Sequence, residues 1–102
     1  MYKLTVTELA NADLDEIIRY IAVELAAPQA ASAFADAVES CYDSIQRNPM
    51  SFEVSRNPRL KAEGYRRAVI KNYIMLYKVF SEREEVVVYR FFYGRRDYMN
   101  LI

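Results

Sequence analysis

The C-terminal half of the chain places several arginine and lysine side chains beside tyrosines. Residues 86–93, VVVYRFFY, form a mostly apolar run that is followed by Gly94, Arg95, Arg96, Asp97 and Tyr98. Guanidinium groups beside aromatic rings can grip RNA phosphate and stack on bases, or dock an acidic protein segment, or form ordinary surface ion pairs. The basic residues that could act together in binding a partner or a nucleic acid are Arg59, Lys61, Arg66, Arg67, Lys71, Arg95 and Arg96.

The composition excludes several kinds of chemistry. The chain has one cysteine, Cys41, and no histidine. An internal disulfide, serine–histidine or thiol–imidazole catalysis and the usual zinc ligand sets are therefore excluded. Asp13, Asp15 and Glu16 suit the positive end of a helix dipole better than a metal site. We expect no metal and no cofactor, and we expect Cys41 to be a small core residue.

Charge is unevenly distributed along the chain, although 14 basic and 14 acidic side chains cancel overall. Residues 1–55 carry three basic and nine acidic side chains, and residues 56–102 carry eleven basic and five acidic ones. This asymmetry predicts a basic surface that faces phosphate or an acidic partner. The simpler alternative is two solvated faces of opposite charge.

The size of the chain predicts a single domain over all 102 residues. Its apolar stretches are far shorter than the roughly 20 residues that cross a bilayer, and its N-terminus lacks a signal-peptide pattern. We therefore expect a cytoplasmic protein with no membrane partner.

The spacing of apolar residues predicts the elements of the N-terminal half. Alternation at residues 2–7 predicts a short strand. Asp13 and Glu16 have the spacing of a capping box, and the apolar residues that follow, up to Leu25, predict a first helix over residues 13–26. Pro28 suits the first turn of a second helix, which Asn48 and Pro49 end. The two helices should form a hairpin.

The C-terminal half predicts a loop at residues 50–64 and then three strands, at residues 65–70, 73–80 and 86–93. Lys71 and Asn72 predict a tight hairpin, with Asn72 able to take the left-handed conformation. Strict alternation would place Arg90 on the same face as Val88 and Phe92, where it is either near a strand edge or paired.

The resulting order, β-α-α-β-β-β, predicts an α+β fold in which a helical hairpin packs on one face of a small, mostly antiparallel four-stranded sheet. Much of the other face should stay available. We expect the basic side chains between Arg59 and Arg96 to converge on that face.

The chain as a whole resembles the RelE/ParE superfamily of bacterial toxins. The resemblance rests on ADLDEIIRYI at residues 12–21, PQAASAF at residues 28–34, the Asn-Pro end of the second helix, YRR and NYIMLYKV between residues 65 and 79, and the closing YGRRD. It implies a growth-inhibiting toxin of a type II toxin–antitoxin system, neutralised by a cognate antitoxin that wraps it with an extended or helical segment.

The resemblance leaves two branches open. Ribosome-dependent mRNA endoribonucleases of the superfamily usually have an arginine where this chain has Ile74, while Arg67 and Arg96 match basic positions of the nuclease set. If the chain is a nuclease, which would act on mRNA at the ribosome, its catalytic residues would be Arg67, Arg96 and Tyr98. The departures favour the ParE branch, which binds DNA gyrase and is not an enzyme of this kind.

A third interpretation is a relative that binds only its antitoxin or pairs with itself. The apolar strand at residues 86–93 would invite self-association if its edge were exposed.

Overall fold

The structure, a computed structural model, describes residues 1–95. These residues form strands β1 (Lys3–Val6), β2 (Arg66–Ile70), β3 (Tyr73–Phe80) and β4 (Glu85–Tyr93) and helices α1 (Glu8–Arg19), α2 (Pro28–Arg47) and α3 (Pro58–Ala62). A π-helical turn (Tyr20–Glu24) continues α1, and a 3-10 turn (Ser81–Arg83) joins β3 to β4. The predicted order of strands and paired helices is confirmed, with α3 as an addition inside the predicted loop.

The four strands form one mixed sheet in the order β1-β4-β3-β2. β1 runs parallel to β4, and the other two neighbouring pairs are antiparallel, so the sheet is mostly antiparallel as predicted. We call the face covered by α1 and α2 the helix face and the opposite face the second face. The main core lies on the helix face, where the fully buried side chains include those of Phe34, Val38, Ile45, Met75 and Tyr77.

The first helix begins earlier than the sequence predicted. Thr7 is its N-cap, and the Thr7 hydroxyl accepts a hydrogen bond from the backbone N–H of Ala10 at 3.0 Å. The prediction that Asp13 caps the helix is wrong, because Asp13 lies inside α1. Thr7 and Asp13 both suit an N-cap by residue type. Thr7 takes this position, and the Asp13 side chain binds β4 instead.

Asp13 binds the outer edge of β4, where β1 has already ended. β1 pairs with β4 only as far as Val88. Beyond that point Oδ2 of Asp13 accepts from the backbone N–H of Phe91 at 3.0 Å and from Nε of Arg90 at 2.7 Å, and Oδ1 accepts from Nη2 of Arg90 at 3.1 Å. Both side chains of this ion pair are nearly buried, 13% and 14% exposed. The sequence left open whether Arg90 is paired or lies near a strand edge, and the structure shows that it is paired.

A β-bulge accompanies this contact. Leu76 pairs with Arg90 but Tyr77 pairs with Val88, which leaves Tyr89 as the extra residue of β4. Phe91 then packs in the main core, while Phe92 packs on the second face. The strict alternation predicted for this strand is wrong beyond Tyr89, because a bulge shifts the side-chain period by one residue.

The β2–β3 hairpin is confirmed, but its left-handed residue differs from the prediction. Lys71 has a φ of 57°, whereas Asn72 is not among the residues of positive φ. Lys71 therefore bears the strain that a side chain meets in this region of the backbone map. The first residue of the two-residue turn, rather than the asparagine, reverses the chain.

Burial in the core changes the acidity of two side chains on the helix face. Cys41 is a buried free thiol, as predicted, and burial raises its pKa from 9.0 to about 11. The thiol is therefore protonated at neutral pH and is a poor nucleophile. Burial also raises the pKa of Tyr77 to about 12, and the hydroxyl of Tyr77 donates to the carbonyl of Pro49 at 2.8 Å.

We predict that the substitution Asp13→Ala lowers the free energy of unfolding by about 3 kcal/mol, because it removes the carboxylate that accepts hydrogen bonds from the nearly buried Arg90 guanidinium and from the N–H of Phe91 at the strand edge. Urea unfolding followed by circular dichroism measures the loss. Asp15→Ala, in the same helix but exposed, is the matched control and should change the stability by less than about 0.5 kcal/mol. Equal losses for the two variants would contradict the role given to Asp13.

Candidate functional site

The second face of the sheet is partly covered by the segment that precedes β2. Leu60 of α3 is fully buried and packs in a second apolar cluster with Tyr65, Ile74, Leu76 and Phe92. Pro58 in the first turn and the Asn57 side chain, which accepts from the backbone N–H groups of Arg59 and Leu60, fix the start of α3. Less of this face is available than the sequence predicted.

Two backbone hydrogen bonds hold the same segment against the outer edge of β2. The N–H of Ser55 donates to the carbonyl of Tyr65 at 2.8 Å, and the N–H of Arg67 donates to the carbonyl of Glu53 at 3.0 Å. Residues 53–55 therefore protect half of an edge that would otherwise be open to another strand. At Val69, farther along β2, the side chain is 59% exposed.

Arg67 lies on the second face, and its charge is neutralised within the chain. Its Nη1 donates to Oε1 of Glu53 at 2.6 Å, and only 11% of its side chain is exposed. Within residues 1–95 no acceptor lies within hydrogen-bonding distance of its buried Nε. The same Glu53 oxygen also accepts from Arg56 at 3.0 Å. Hydrogen bonding to Arg67 lowers the pKa of Glu53, as does the charge of Arg56.

Lys78 is a basic residue of the second face that the sequence analysis did not single out. Its Nζ lies 4.4 Å from the centre of the Tyr65 ring and 5.6 Å from that of Tyr89, and the two rings meet edge to face at 5.5 Å. Cations are attracted to the faces of aromatic rings in this way. The sequence does contain a signal for this residue. Lys78 is the only charged residue of an apolar strand, and it lies two residues beyond Leu76 and therefore on the same face.

The other predicted binding residues do not all come together. Arg59 and Lys61 lie on α3, where Arg59 forms a salt bridge of 3.0 Å with Glu63 and Lys61 is exposed. Arg66 lies on the helix face, because neighbouring residues of a strand point to opposite faces, and it donates to the carbonyl of Phe52 at 2.7 Å. The predicted convergence of all the basic residues on one face is therefore wrong.

Two of the predicted binding residues remain within the described part of the chain, and both lie at one end of the sheet. Lys71 occupies the exposed β2–β3 turn, and Arg95 is exposed just after β4. Gly94 between them has its N–H bonded to the carbonyl of Asn72 at 2.8 Å, and a Cβ at Gly94 would lie 3.1 Å from that oxygen. Arg96 and Tyr98 lie outside the described residues.

An apolar groove lies at the same end of the sheet, between the helical hairpin and the β2–β3 turn. It has a volume of about 730 Å³ and is lined by Tyr20, Ile21, Leu25, Ala30, Ala33, Phe34, Lys71, Asn72, Tyr73 and Tyr93. Three of its large side chains are strongly exposed: Tyr20 by 48%, Leu25 by 55% and Tyr93 by 42%. The sequence analysis missed the groove because it assigned Leu25 to the buried stripe of a regular helix, whereas the π-helical turn intervenes.

Residues 1–95 contain neither a cluster of metal ligands nor a membrane-spanning helix. No three acidic or cysteine side chains there come together as a metal ion would require. No helix in that range is both long and apolar enough to cross a bilayer.

Comparisons with known proteins agree with this architecture. The model of one family, described as the ParE toxin of the type II toxin–antitoxin system parDE, matches residues 4–98. A solved structure of the chromosomal ParDE system of P. aeruginosa is similar with a TM-score of 0.70 and 22% identity over 91% of this chain and 96% of that chain. The RelBE2 toxin–antitoxin complex of Mycobacterium tuberculosis is similar with a TM-score of 0.63 and 24% identity over 90% of each chain. No significant match was found among curated protein sequences.

We predict that the substitution Glu53→Gln destabilises the fold at neutral pH, because it removes the carboxylate that neutralises Arg67. A carboxyl whose pKa is lowered by folding stabilises the fold above its ordinary pKa, and that stabilisation is lost as the pH falls through the lowered value. Urea unfolding should therefore separate the wild type from the variant at neutral pH, and the difference should close as the pH falls through the lowered pKa of Glu53. Glu82→Gln, in the exposed β3–β4 turn, is the control, and a gap that persists in acid would contradict this role.

Proposed function

The chain belongs to the ParE toxin family of type II toxin–antitoxin systems, and from this we propose that it inhibits growth by binding DNA gyrase and that a cognate antitoxin neutralises it. The family match over nearly the whole chain carries the proposal. Gyrase and a co-expressed antitoxin are both cytoplasmic, so the cytoplasm is part of the same proposal.

The surroundings of Ile74 support the gyrase branch. Nuclease relatives usually have an arginine at this position of β3, as the resemblance implies. Here Ile74 is 4% exposed and packs with Leu60 of α3, Leu76 and Phe92. A guanidinium at this depth would lose its hydration without an ionic partner, which costs several kcal/mol by order of magnitude. The local packing therefore suits an apolar residue and not a catalytic cation.

Arg67 gives a second argument against RNA cleavage. A catalytic guanidinium has to meet the charge that develops on a reacting phosphate. The Arg67 side chain is mostly buried and already donates to Glu53. A phosphate that approached it would have to displace this carboxylate and would be repelled by it. Of the three residues proposed to cleave RNA, only Arg67 lies within residues 1–95. Its guanidinium is already bound to Glu53.

The apolar groove supports the antitoxin part of the proposal. Exposed apolar side chains that cluster in a concave surface mark a site for a protein partner. Tyr20, Leu25 and Tyr93 contribute such surface at one end of the molecule. A helical or extended antitoxin segment that placed apolar residues there would bury them, as in other complexes where a peptide occupies a groove.

We predict that the purified toxin inhibits supercoiling of relaxed plasmid by gyrase and ATP, because binding to gyrase is the proposed activity. Relaxation by topoisomerase I, measured with the same toxin preparation, should be unaffected. Primer extension on mRNA from cells that express the toxin should show intact transcripts while growth stops. Unchanged supercoiling at excess toxin, together with cleaved mRNA, would refute the gyrase proposal and favour the ribosome-dependent nuclease.

We also predict that the substitution Leu25→Glu weakens antitoxin binding by roughly tenfold or more, because it places a charge in the apolar groove. Isothermal titration calorimetry with the product of the adjacent gene measures the affinity. Leu9→Glu, which changes an exposed leucine in the first turn of α1, is the matched control and should bind like the wild type. Equal affinities of both variants would exclude the groove as the antitoxin site.

A further inference from the structure

Lys78 is a half-buried cation that has aromatic neighbours but no ionic partner among residues 1–95. A lysine ammonium has three N–H donors, and ring faces attract its charge without accepting hydrogen bonds as well as oxygen does. Because Tyr65 and Tyr89 fix its position, little side-chain entropy remains to be lost when a partner binds. A carboxylate from another molecule would complete this environment.

Two carboxylates near the second face already have partners: Glu53, which pairs with Arg67, and Glu63, whose charge acts on Tyr65. Glu53 accepts from Arg56 and Arg67, and Glu63 pairs with Arg59. We call Tyr65, Lys78, Tyr89 and the Arg59–Glu63 pair the Lys78 patch. The patch therefore presents one cation that the described part of the chain does not neutralise.

The surroundings of the patch favour an acidic protein side chain over a nucleic acid. A phosphodiester chain carries a charge at every nucleotide and needs a row of cations. The described part of the second face offers no such row, because Arg67 and Arg59 already pair with Glu53 and Glu63. Tyrosine rings around a single charge, with exposed Val69 on the neighbouring strand, are typical of protein interfaces.

We propose that the Lys78 patch binds an aspartate or glutamate side chain of the antitoxin, on the face of the sheet opposite the main core. The inference rests on the proposed function, since it takes the antitoxin as the partner. It assigns a role to Lys78 and makes this lysine a determinant of which antitoxin is recognised.

Zero-length crosslinking tests the contact directly. A carbodiimide joins an ammonium to a carboxylate only when the two groups touch, with loss of one water molecule and formation of an amide. The wild-type toxin in complex with the purified product of the adjacent gene should give a crosslinked peptide between Lys78 and an antitoxin Asp or Glu, located by mass spectrometry. Crosslinks only at Lys3, Lys61 or Lys71, or a Lys78–Asp97 crosslink in the free toxin, would overturn the proposal.

Substitution supplies the energetic test. Lys78→Gln should weaken binding of the antitoxin by about tenfold, while Lys78→Arg should keep most of the affinity because it retains the charge over the rings. Lys3→Gln, at an exposed lysine on β1, is the matched control and should change affinity by less than about twofold. Thermal unfolding of each variant confirms that it is folded.

The outcomes separate this inference from the proposed function. Wild-type binding that Lys78→Gln leaves unchanged overturns the role of Lys78 alone. If the wild-type toxin does not bind the adjacent gene product, the antitoxin part of the proposed function fails and this inference falls with it. A loss of affinity in Lys78→Gln, with affinity retained in Lys78→Arg and Lys3→Gln, supports both the inference and the proposed function.

Discussion

The outer edge of β4 is the constraint on which the arrangement of helices and sheet depends. β4 has nine residues, and β1, its neighbour on that side, has four. The backbone groups beyond Val88 would be left open without another partner. Thr7 donates its hydroxyl proton to the carbonyl of Tyr89, and Asp13 accepts from the N–H of Phe91. The first helix thus completes the sheet edge with side chains, and this fixes where the helix lies.

The apolar groove and the second face both depend on these contacts between the first helix and the edge of β4. The β-bulge at Tyr89 lies between the two backbone groups that α1 holds. It places Phe92 beneath α3 on the second face, and it places Tyr93 beside Tyr73, with ring centres 5.7 Å apart, at the border of the apolar groove. A regular strand would have exchanged these two rings between the faces. The character of both surfaces therefore depends on one irregularity that a carboxylate helps to hold.

Local sequence patterns predicted the elements well where neighbouring residues determine them. β3 matches its predicted bounds, and α2 begins at Pro28 and ends before Asn48 as expected. The pattern failed where distant contacts decide: Asp13 meets Arg90 across 77 residues of sequence, and no periodicity reports such a pair. Arg66 and Arg67 were predicted to share one face, although strand alternation places neighbouring residues on opposite faces, as the structure does. Lys78 was missed because its tyrosine neighbours are distant in sequence: Tyr89 lies in β4 and Tyr65 just before β2, and their positions depend on the strand register.

Ion pairs within the chain neutralise most of the arginines that could attract a partner from a distance. Within residues 1–95, salt bridges engage Arg47, Arg56, Arg59, Arg67, Arg83 and Arg90 with acidic side chains of the same chain. Paired charges produce a weak field at a distance, particularly at physiological ionic strength, where screening extends over about 8 Å. Long-range steering therefore contributes little to association. Specificity has to come from contacts made at close range, through apolar surface and through the few cations that the chain's own carboxylates do not neutralise.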